Sequence, residues 1–423
     1  MARSVVLIGT LDTKGDALAH LRDLITGLGH PIVVVDTGVL GAVPFAPTVT
    51  REEVARAGGA SIAEIVALRD EHQAMQRMTA GAASLVAAMS ARDEVAGVLA
   101  VGGSMGTALA LGVMRELPVG LPKVLLSTVA YSPLVSPDLL DVDVVMVPWT
   151  AGLWGLNSLS EEALRTAAGA VAGAASLYRP PGAEPRRKVV AVSSLGRSIT
   201  RYLEQLKPAL EARGYEVAVF QATGMSGRLL ERAIAGGRVD VVLDLCVGTE
   251  LVAELTGGAN AAGPGRLTAA GRRGIPQIIS PGGLEFFHWP PDEPLPPSLR
   301  DRPKHRHNAL LDVVLSSNEE RGAVGALMAA KLNEAAGPAC VIVATHGMRS
   351  EALVEEQVAD PGALDPFFAG IMHPEDGFTA FLDELRGMLR AEIETVVIAA
   401  GINDPQYAEE VLARFDAMTK DKP

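Results

Sequence analysis

The sequence predicts an α/β protein built from two parallel-sheet domains, and three observations carry that expectation. Strand-like, mainly apolar runs at 5–8, 32–35, 98–101, 124–127 and 142–147 alternate with amphipathic stretches, a pattern suited to the buried strands of a parallel sheet. Of 423 residues, 48% are hydrophobic but only 4% aromatic, and 44 are glycine, so Ala, Val and Leu must build closely packed layers. The second half of the chain also restarts the rhythm of the first. The stretch from Gly29 to Gly38 is echoed from Gly214 to Gly224, that from Val98 to Thr107 by Val241 to Thr249, and that from Gly120 to Ser127 by Gly274 to Ser280. Two Rossmann-like parallel-sheet domains with a cleft between them follow from this pattern.

The clearest helix places Ala17, Leu18, Leu21, Leu24, Ile25 and Leu28 on one face, and Gly29 ends it. Tyr178-Arg-Pro-Pro-Gly-Ala-Glu-Pro-Arg-Arg187 reads as a solvated linker. It separates an N-terminal domain, 1–180, from a C-terminal domain, 188–423. Each half carries an insertion. In the first it is a helical segment from about Arg51 to Met89; in the second, a Pro-rich run at 290–297 is followed by Arg300-Asp-Arg-Pro-Lys-His-Arg-His307. A long Pro-rich excursion is either a solvated loop or one that covers a site.

A formal net charge of −13 argues against a nucleic-acid partner, because phosphate-backbone affinity comes from clustered Lys and Arg. Cys246 and Cys340 lie in apolar stretches without metal-type spacing, as expected of core thiols in a reducing cytoplasm. No signal-like segment opens the chain and no apolar stretch reaches about 18 residues, so a cytoplasmic protein without a membrane partner is expected.

Chemistry concentrates where strands hand over to helices. Gly9-Thr-Leu-Asp-Thr-Lys-Gly-Asp16 follows the first strand and Gly102-Gly-Ser-Met-Gly-Thr107 the third. Glycines at such turns let backbone N–H groups approach an anion, and the helix end adds unpaired donors. In the first loop, Gly9 provides the turn, Asp12 suits Mg²⁺, Lys14 a phosphate oxygen, and Thr10 and Thr13 add hydroxyls. The same spacing also allows Asp12 or Thr13 simply to cap the helix. In the second, Gly102, Gly103 and Gly106 with Ser104 and Thr107 form a phosphate cradle. Asp36 ends the second strand, where a carboxylate either meets a ribose or shapes the turn before Gly38. Ser127 and Thr128 end the fourth strand on the same edge. Neither loop matches the fingerprint of a phosphate loop or a dinucleotide fold, which disfavours a nicotinamide-dependent dehydrogenase.

The second domain offers Asp244, Thr249 and Glu250, then Ser280-Pro-Gly-Gly-Leu-Glu285, His288, Arg306-His307-Asn308, Thr345-His-Gly347 and Asn403-Asp404. His307 is the general acid–base candidate, since imidazole titrates near neutrality and Arg306 and Asn308 flank it. A zinc site from His288, His307 and a carboxylate has no spacing signature.

With these residues in view, the chain resembles an uncharacterised bacterial family that also supplies the N-terminal ATP-binding domain of a plant tobamovirus-resistance protein. The resemblance runs nearly end to end. It rests on Gly9-Thr-Leu-Asp-Thr-Lys14, Gly102-Gly-Ser-Met-Gly-Thr107, Pro122-Lys-Val-Leu-Leu-Ser-Thr128, Gly155-Leu-Asn157, Gly257-Gly258 with Ala262-Gly-Pro264, His307-Asn308 and Ile402-Asn-Asp404. It implies two Rossmann-like subdomains, ATP bound in the first, and a homodimer. Met105 stands where the family pattern leads one to expect glycine, and Gln221 where it tends to have histidine. The expected function is an ATP- and Mg²⁺-binding protein acting as an enzyme on a small anionic metabolite between the domains, with His307, Asn308 and Glu250 facing it. The alternative is a non-catalytic, nucleotide-governed regulator of a protein partner.

Overall fold

The computed structural model describes residues 3–136, 139, 140, 142–180, 186–196, 199, 201–347 and 375–420, the side chains of 375–377 aside. The chain divides into two compact units, Met1–Pro185 and Arg186–Pro423. Part of the expected linker, 181–185, lies outside the described residues.

The first unit runs β1 (Ser4–Gly9), α1 (Leu11–Gly27), β2 (Ile32–Asp36), α2 (Arg51–Ala57), α3 (Ile62–Ala67), α4 (Glu71–Ala91), β3 (Val95–Gly102), α5 (Ser104–Arg115), β4 (Lys123–Ser127), β5 (Val144–Pro148) and α6 (Ser158–Leu177). Its five strands are all parallel, in the order β2-β1-β3-β4-β5. The apolar runs are continuous because both faces are covered. Helices α1 and α6 pack Leu18, Leu21, Ile25, Leu164 and Val171 against one face. Helices α2, α4 and α5 pack Val54, Met78, Val86, Leu109 and Val113 against the other. Each such large side chain, fully withdrawn from water, contributes roughly 1.5–3 kcal/mol. The helical insertion forms α2 to α4 as the periodicity predicts, with Thr50–Glu53 and Ser61–Glu64 capping boxes opening the first two.

The second unit runs β6 (Val189–Ser194), α7 (Tyr202–Ala212), β7 (Glu216–Gln221), α8 (Met225–Ala235), β8 (Val241–Asp244), α9 (Gly248–Thr256), α10 (Ala269–Arg273), β9 (Gln277–Ile279), β10 (Phe286–Trp289), β11 (Lys304–Arg306), β12 (Asp312–Leu315), α11 (Asn318–Asn333), β13 (Ala339–Ala344), α12 (Glu375–Met388), β14 (Glu394–Ile398) and α13 (Pro405–Thr419). Its main sheet, again parallel, is ordered β7-β6-β8-β9-β13-β14. The three echoed sequence segments therefore occupy matching strands: β2 with β7, β3 with β8, β4 with β9. Gly29 and Gly214, preceding β2 and β7, have φ of +88° and +87°, a left-handed turn out of the helix that glycine alone adopts without strain.

One element departs from expectation. The Pro-rich excursion is not a bare loop, because it lies between strands of a small antiparallel sheet ordered β10-β12-β11. Phe287 faces Val314 across it, and both are fully buried. Strands this short show no alternation in sequence, and their pairing depends on a partner some 27 positions away.

Candidate functional site

The chain path places both glycine loops together. From β1 it moves outward to β2, then returns to β3 on the opposite side of β1 and continues through β4 to β5. The carboxyl ends of β1 and β3 therefore flank the point where strand order reverses, where open α/β sheets form a ligand crevice.

In the first loop, Thr10 opens α1 without a side-chain cap, and the helix is interrupted at Lys14 (φ −128°, ψ 18°). The amides up to the break are largely engaged, Leu11 N–H with Asp36 Oδ1 at 3.0 Å and Thr13 and Lys14 N–H with the Thr10 carbonyl at 3.2 and 2.9 Å. Asp12 Oδ2 accepts the Leu40 N–H at 3.0 Å, while its buried Oδ1 has no partner among the described residues. A Cβ on Gly38 would come 2.8 Å from that carboxylate, so glycine there lets the chain pass over Asp12. Lys14 Nζ makes one long contact, 3.3 Å to the Leu153 carbonyl. The Thr10 and Thr13 hydroxyls bond each other at 2.6 Å. Asp12, Thr13, Lys14, Asp16, Pro44 and Leu153 line a cavity of about 220 Å³.

In the second loop, Gly103 caps α5 with no side-chain bond, so the Ser104, Met105 and Gly106 amides lack intrahelical acceptors. A Cβ on Gly102 would lie 2.3 Å from the Gly106 carbonyl carbon, whereas one on Gly103 would meet only Thr128 Oγ1, at 3.7 Å. Gly102 is thus required by packing, and Gly103 leaves open a space that the chain itself does not fill. Met105 is half-exposed in the first turn.

Several residues chosen from sequence are occupied elsewhere. Asp36 is fully buried, its Oδ1 accepting the Leu11 and Gly38 amides at 3.0 and 2.9 Å and its Oδ2 bound by Arg51 Nε at 2.8 Å. The turn-shaping alternative is the one realised, with both carboxylate oxygens engaged and the side chain withdrawn from the surface. Thr107 and Ser127 are buried with their hydroxyls 2.7 Å apart. They brace β4 against α5 beneath the loop and do not line it. Thr128 is half-buried, its amide bonded to the Gly102 carbonyl.

The grouping expected in the second unit does not form. Glu250 is wholly buried, bound to Arg266 Nε at 2.6 Å and to the Gly224 amide at 2.8 Å. Arg266 also chelates Asp244, at 2.8 Å for one of the two bonds, and meets Glu231 at 3.1 Å. Burial raises the Glu250 carboxyl above its ordinary range even against this arginine. His307 and Asn308 are exposed. Asn308 Oδ1 accepts the Leu310 and Leu311 amides at 2.7 and 3.2 Å, and Arg306 is held by Asp312. Burial, then the nearby His307 charge, lowers His288 to about 4. Among the described residues no group of three His, Cys, Asp or Glu is placed to hold a metal. Cys246 and Cys340 are buried free thiols, with burial pushing Cys340 up to about 12.

At the second sheet's own reversal, between β6 and β8, the turn that follows β8 is closed. A Cβ on Gly248 would strike the Pro281 carbonyl oxygen at 2.3 Å, and Cys246, Val247 and Thr249 are fully buried. Gln221, ending β7, is exposed. Asn403 and Asp404 serve the backbone, accepting the Arg201 and Gly401 amides at 3.0 and 2.7 Å.

Sequence reasoning missed Arg51, a single arginine opening a short helix with nothing to mark it. It also missed the contribution of 153–155, although Gly155-Leu-Asn157 was noticed as a motif; Asn157 caps α6 by accepting the Leu159 and Ser160 amides.

The molecule is thus a two-unit α/β protein whose first sheet carries an open crevice at its switch point. Residues 3–180 match the N-terminal domain, and 187–419 the C-terminal domain, of the uncharacterised protein family UPF0261. The chain belongs to this family. A UPF0261 protein of Brucella suis is 40% identical over 97% of this chain and 94% of its own length. One from Clostridium tetani is 34% identical over 82% of this chain and 85% of its own. The tomato ToMV susceptible protein tm-1(GCR26) is 29% identical over 85% of this chain and 50% of its own length. The crystal structure of Acinetobacter baumannii MurG covers 99% of both chains, but at a TM-score of 0.18 and 12% identity it does not bear on the fold. No helix among the described residues is long and apolar enough to cross a membrane.

Proposed function

We propose that the first unit binds ATP with Mg²⁺ at the carboxyl edge of its sheet. The observation that carries this reading is the Asp12 carboxylate, whose buried Oδ1 has no donor among the described residues, beside a Lys14 ammonium that makes a long 3.3 Å contact with the Leu153 carbonyl. An oxygen ligand without a donor suits a hard cation, and an ammonium suits the phosphate oxygens that accompany it. The helix N-terminus at Gly103 would supply backbone N–H groups to the remaining phosphate charge. Thr10, Thr13 and Ser104 lie on the same loops. Titration calorimetry of the full chain with ATP, with and without Mg²⁺, tests the reading. Saturable, Mg²⁺-dependent binding is expected, and no heat at millimolar nucleotide overturns it.

The burial of Glu250 within the Arg266 network favours a nucleotide-governed regulator of a protein partner over an enzyme that uses this acid on a metabolite. Incubation with ATP and a cell metabolite extract separates the two, since the regulator binds ATP without consuming it. The reading includes a homodimer, consistent with the edge strand β5, where Val145 is 55% exposed, and with the nearby Tyr131, 75% exposed. Analytical ultracentrifugation reads the stoichiometry directly.

A further inference from the structure

From Arg51 and the cavity it lines, we infer that the first unit contains a separate subsite for a neutral, flat heteroaromatic group, the nucleobase of the bound nucleotide. The identity of the ligand rests on the reading above; the subsite rests on its own geometry.

The segment 42–47 runs between two cavities. Ala42 and Pro44 line the one beside Lys14, while Val43, Phe45, Ala46 and Pro47 line a second of about 350 Å³, closed by Asp36, Thr50, Arg51 and Glu52. This second space falls at the lower end of the range typical of small-molecule sites.

Arg51 is 6% exposed. Its Nε binds Asp36 at 2.8 Å, and its Nη1 donates to the Leu40 and Gly41 carbonyls at 3.0 and 3.3 Å. Its Nη2 is buried without an acceptor among the described residues. A buried donor left unpaired costs about 1–3 kcal/mol, more for a charged group, and a ligand that brings an acceptor removes that cost.

Charge and shape narrow the class. Asp36 already neutralises Arg51 and the acidic Glu52 is among the residues that line the space, so a second anion is disfavoured and a neutral acceptor preferred. Val43, Ala46 and Pro47 offer apolar walls, and Phe45 an aromatic one whose ring is approached by Arg22 at 4.6 Å. A ring with acceptor nitrogens for Arg51 and an exocyclic amine for Glu52 satisfies both. Adenine has this pattern.

The test compares ATP, tripolyphosphate and adenosine, each with Mg²⁺, on the full chain. Ala46 is exposed, so Ala46→Trp fills the cavity without disturbing the core. Arg51→Lys keeps the charge beside Asp36 but removes Nη2. Wild type should bind ATP at least roughly tenfold more tightly than tripolyphosphate. Ala46→Trp and Arg51→Lys should each abolish that difference and leave tripolyphosphate affinity unchanged. Equal affinities for ATP and tripolyphosphate in wild type, or full ATP affinity in Ala46→Trp, overturn the subsite. If wild type binds neither phosphate ligand, the phosphate reading fails and adenosine decides the subsite alone. Binding to wild type but not to Ala46→Trp upholds it, and no binding to wild type overturns it.

Discussion

Gly102 and Gly106 approach so closely that a Cβ on the first would lie 2.3 Å from the carbonyl carbon of the second. The neighbouring Gly103 has no such constraint. Gly102→Ala should therefore destabilise the protein by at least about 2 kcal/mol, read as a lowered urea midpoint. Gly103→Ala should change stability by less than about 0.5 kcal/mol yet weaken ATP binding at least roughly tenfold, because the methyl group occupies the space a phosphate needs. Unchanged ATP affinity in Gly103→Ala would remove the second loop from the site.

Lys14 contributes little to the fold, its ammonium making one 3.3 Å contact with the Leu153 carbonyl. Lys14→Met should fold with a near-normal melting temperature and lose at least roughly tenfold in ATP affinity. Asp12→Asn should weaken the Mg²⁺ dependence of that binding. Trp154, 93% exposed between two residues that line the cavity, provides a fluorescence signal for the titration. An unaltered isotherm for both variants would place the ligand elsewhere.

Arg266 serves three buried or partly buried acids. Arg266→Met should cost about 3–5 kcal/mol, because it leaves Asp244 and Glu250 uncompensated. The raised Glu250 carboxyl sets a pH signature. Its contribution to stability is full below its ordinary value of 4.5 and falls as pH rises above that. Glu250→Gln should therefore show a flatter loss of stability above pH 4.5 than wild type. Parallel pH profiles of the urea midpoint would contradict this.

His288 acts in the opposite direction. With its folded value lowered from 6.5 to about 4, the stability it contributes is present above pH 6.5 and is lost as pH falls towards 4, by about 3 kcal/mol in all. His288→Phe should be less sensitive to acid than wild type across this window, whatever its stability at pH 7. Equal acid profiles by circular dichroism would show that His288 is not held neutral.

Much of the architecture was legible in local patterns. The buried strands 5–8 and 98–101, the stripe from Ala17 to Leu28 and the echo of Gly29 in Gly214 are all signals within one element or one turn. The roles of individual polar residues were not legible. Asp36 occupies the strand end where a ribose-binding carboxylate belongs, yet it is bound by Arg51, 15 positions on in another element. Glu250 belongs to Arg266, and Thr107 to Ser127. Each partner is chosen by packing between elements, which no spacing in the chain encodes.

The sequence by itself determined two α/β halves of matching strand order and the two glycine loops, because burial period, turn glycines and helix stops act over a few residues. Only the tertiary structure decided that both loops flank one reversal of strand order, that Pro281 closes the turn after β8 in the second half, and that Asp12 and Lys14 keep unspent bonding capacity while Asp36 and Glu250 do not. That decision rests on which buried charges find partners as the elements pack, since a charged group left unpaired in the interior is too costly to keep unless a ligand completes it.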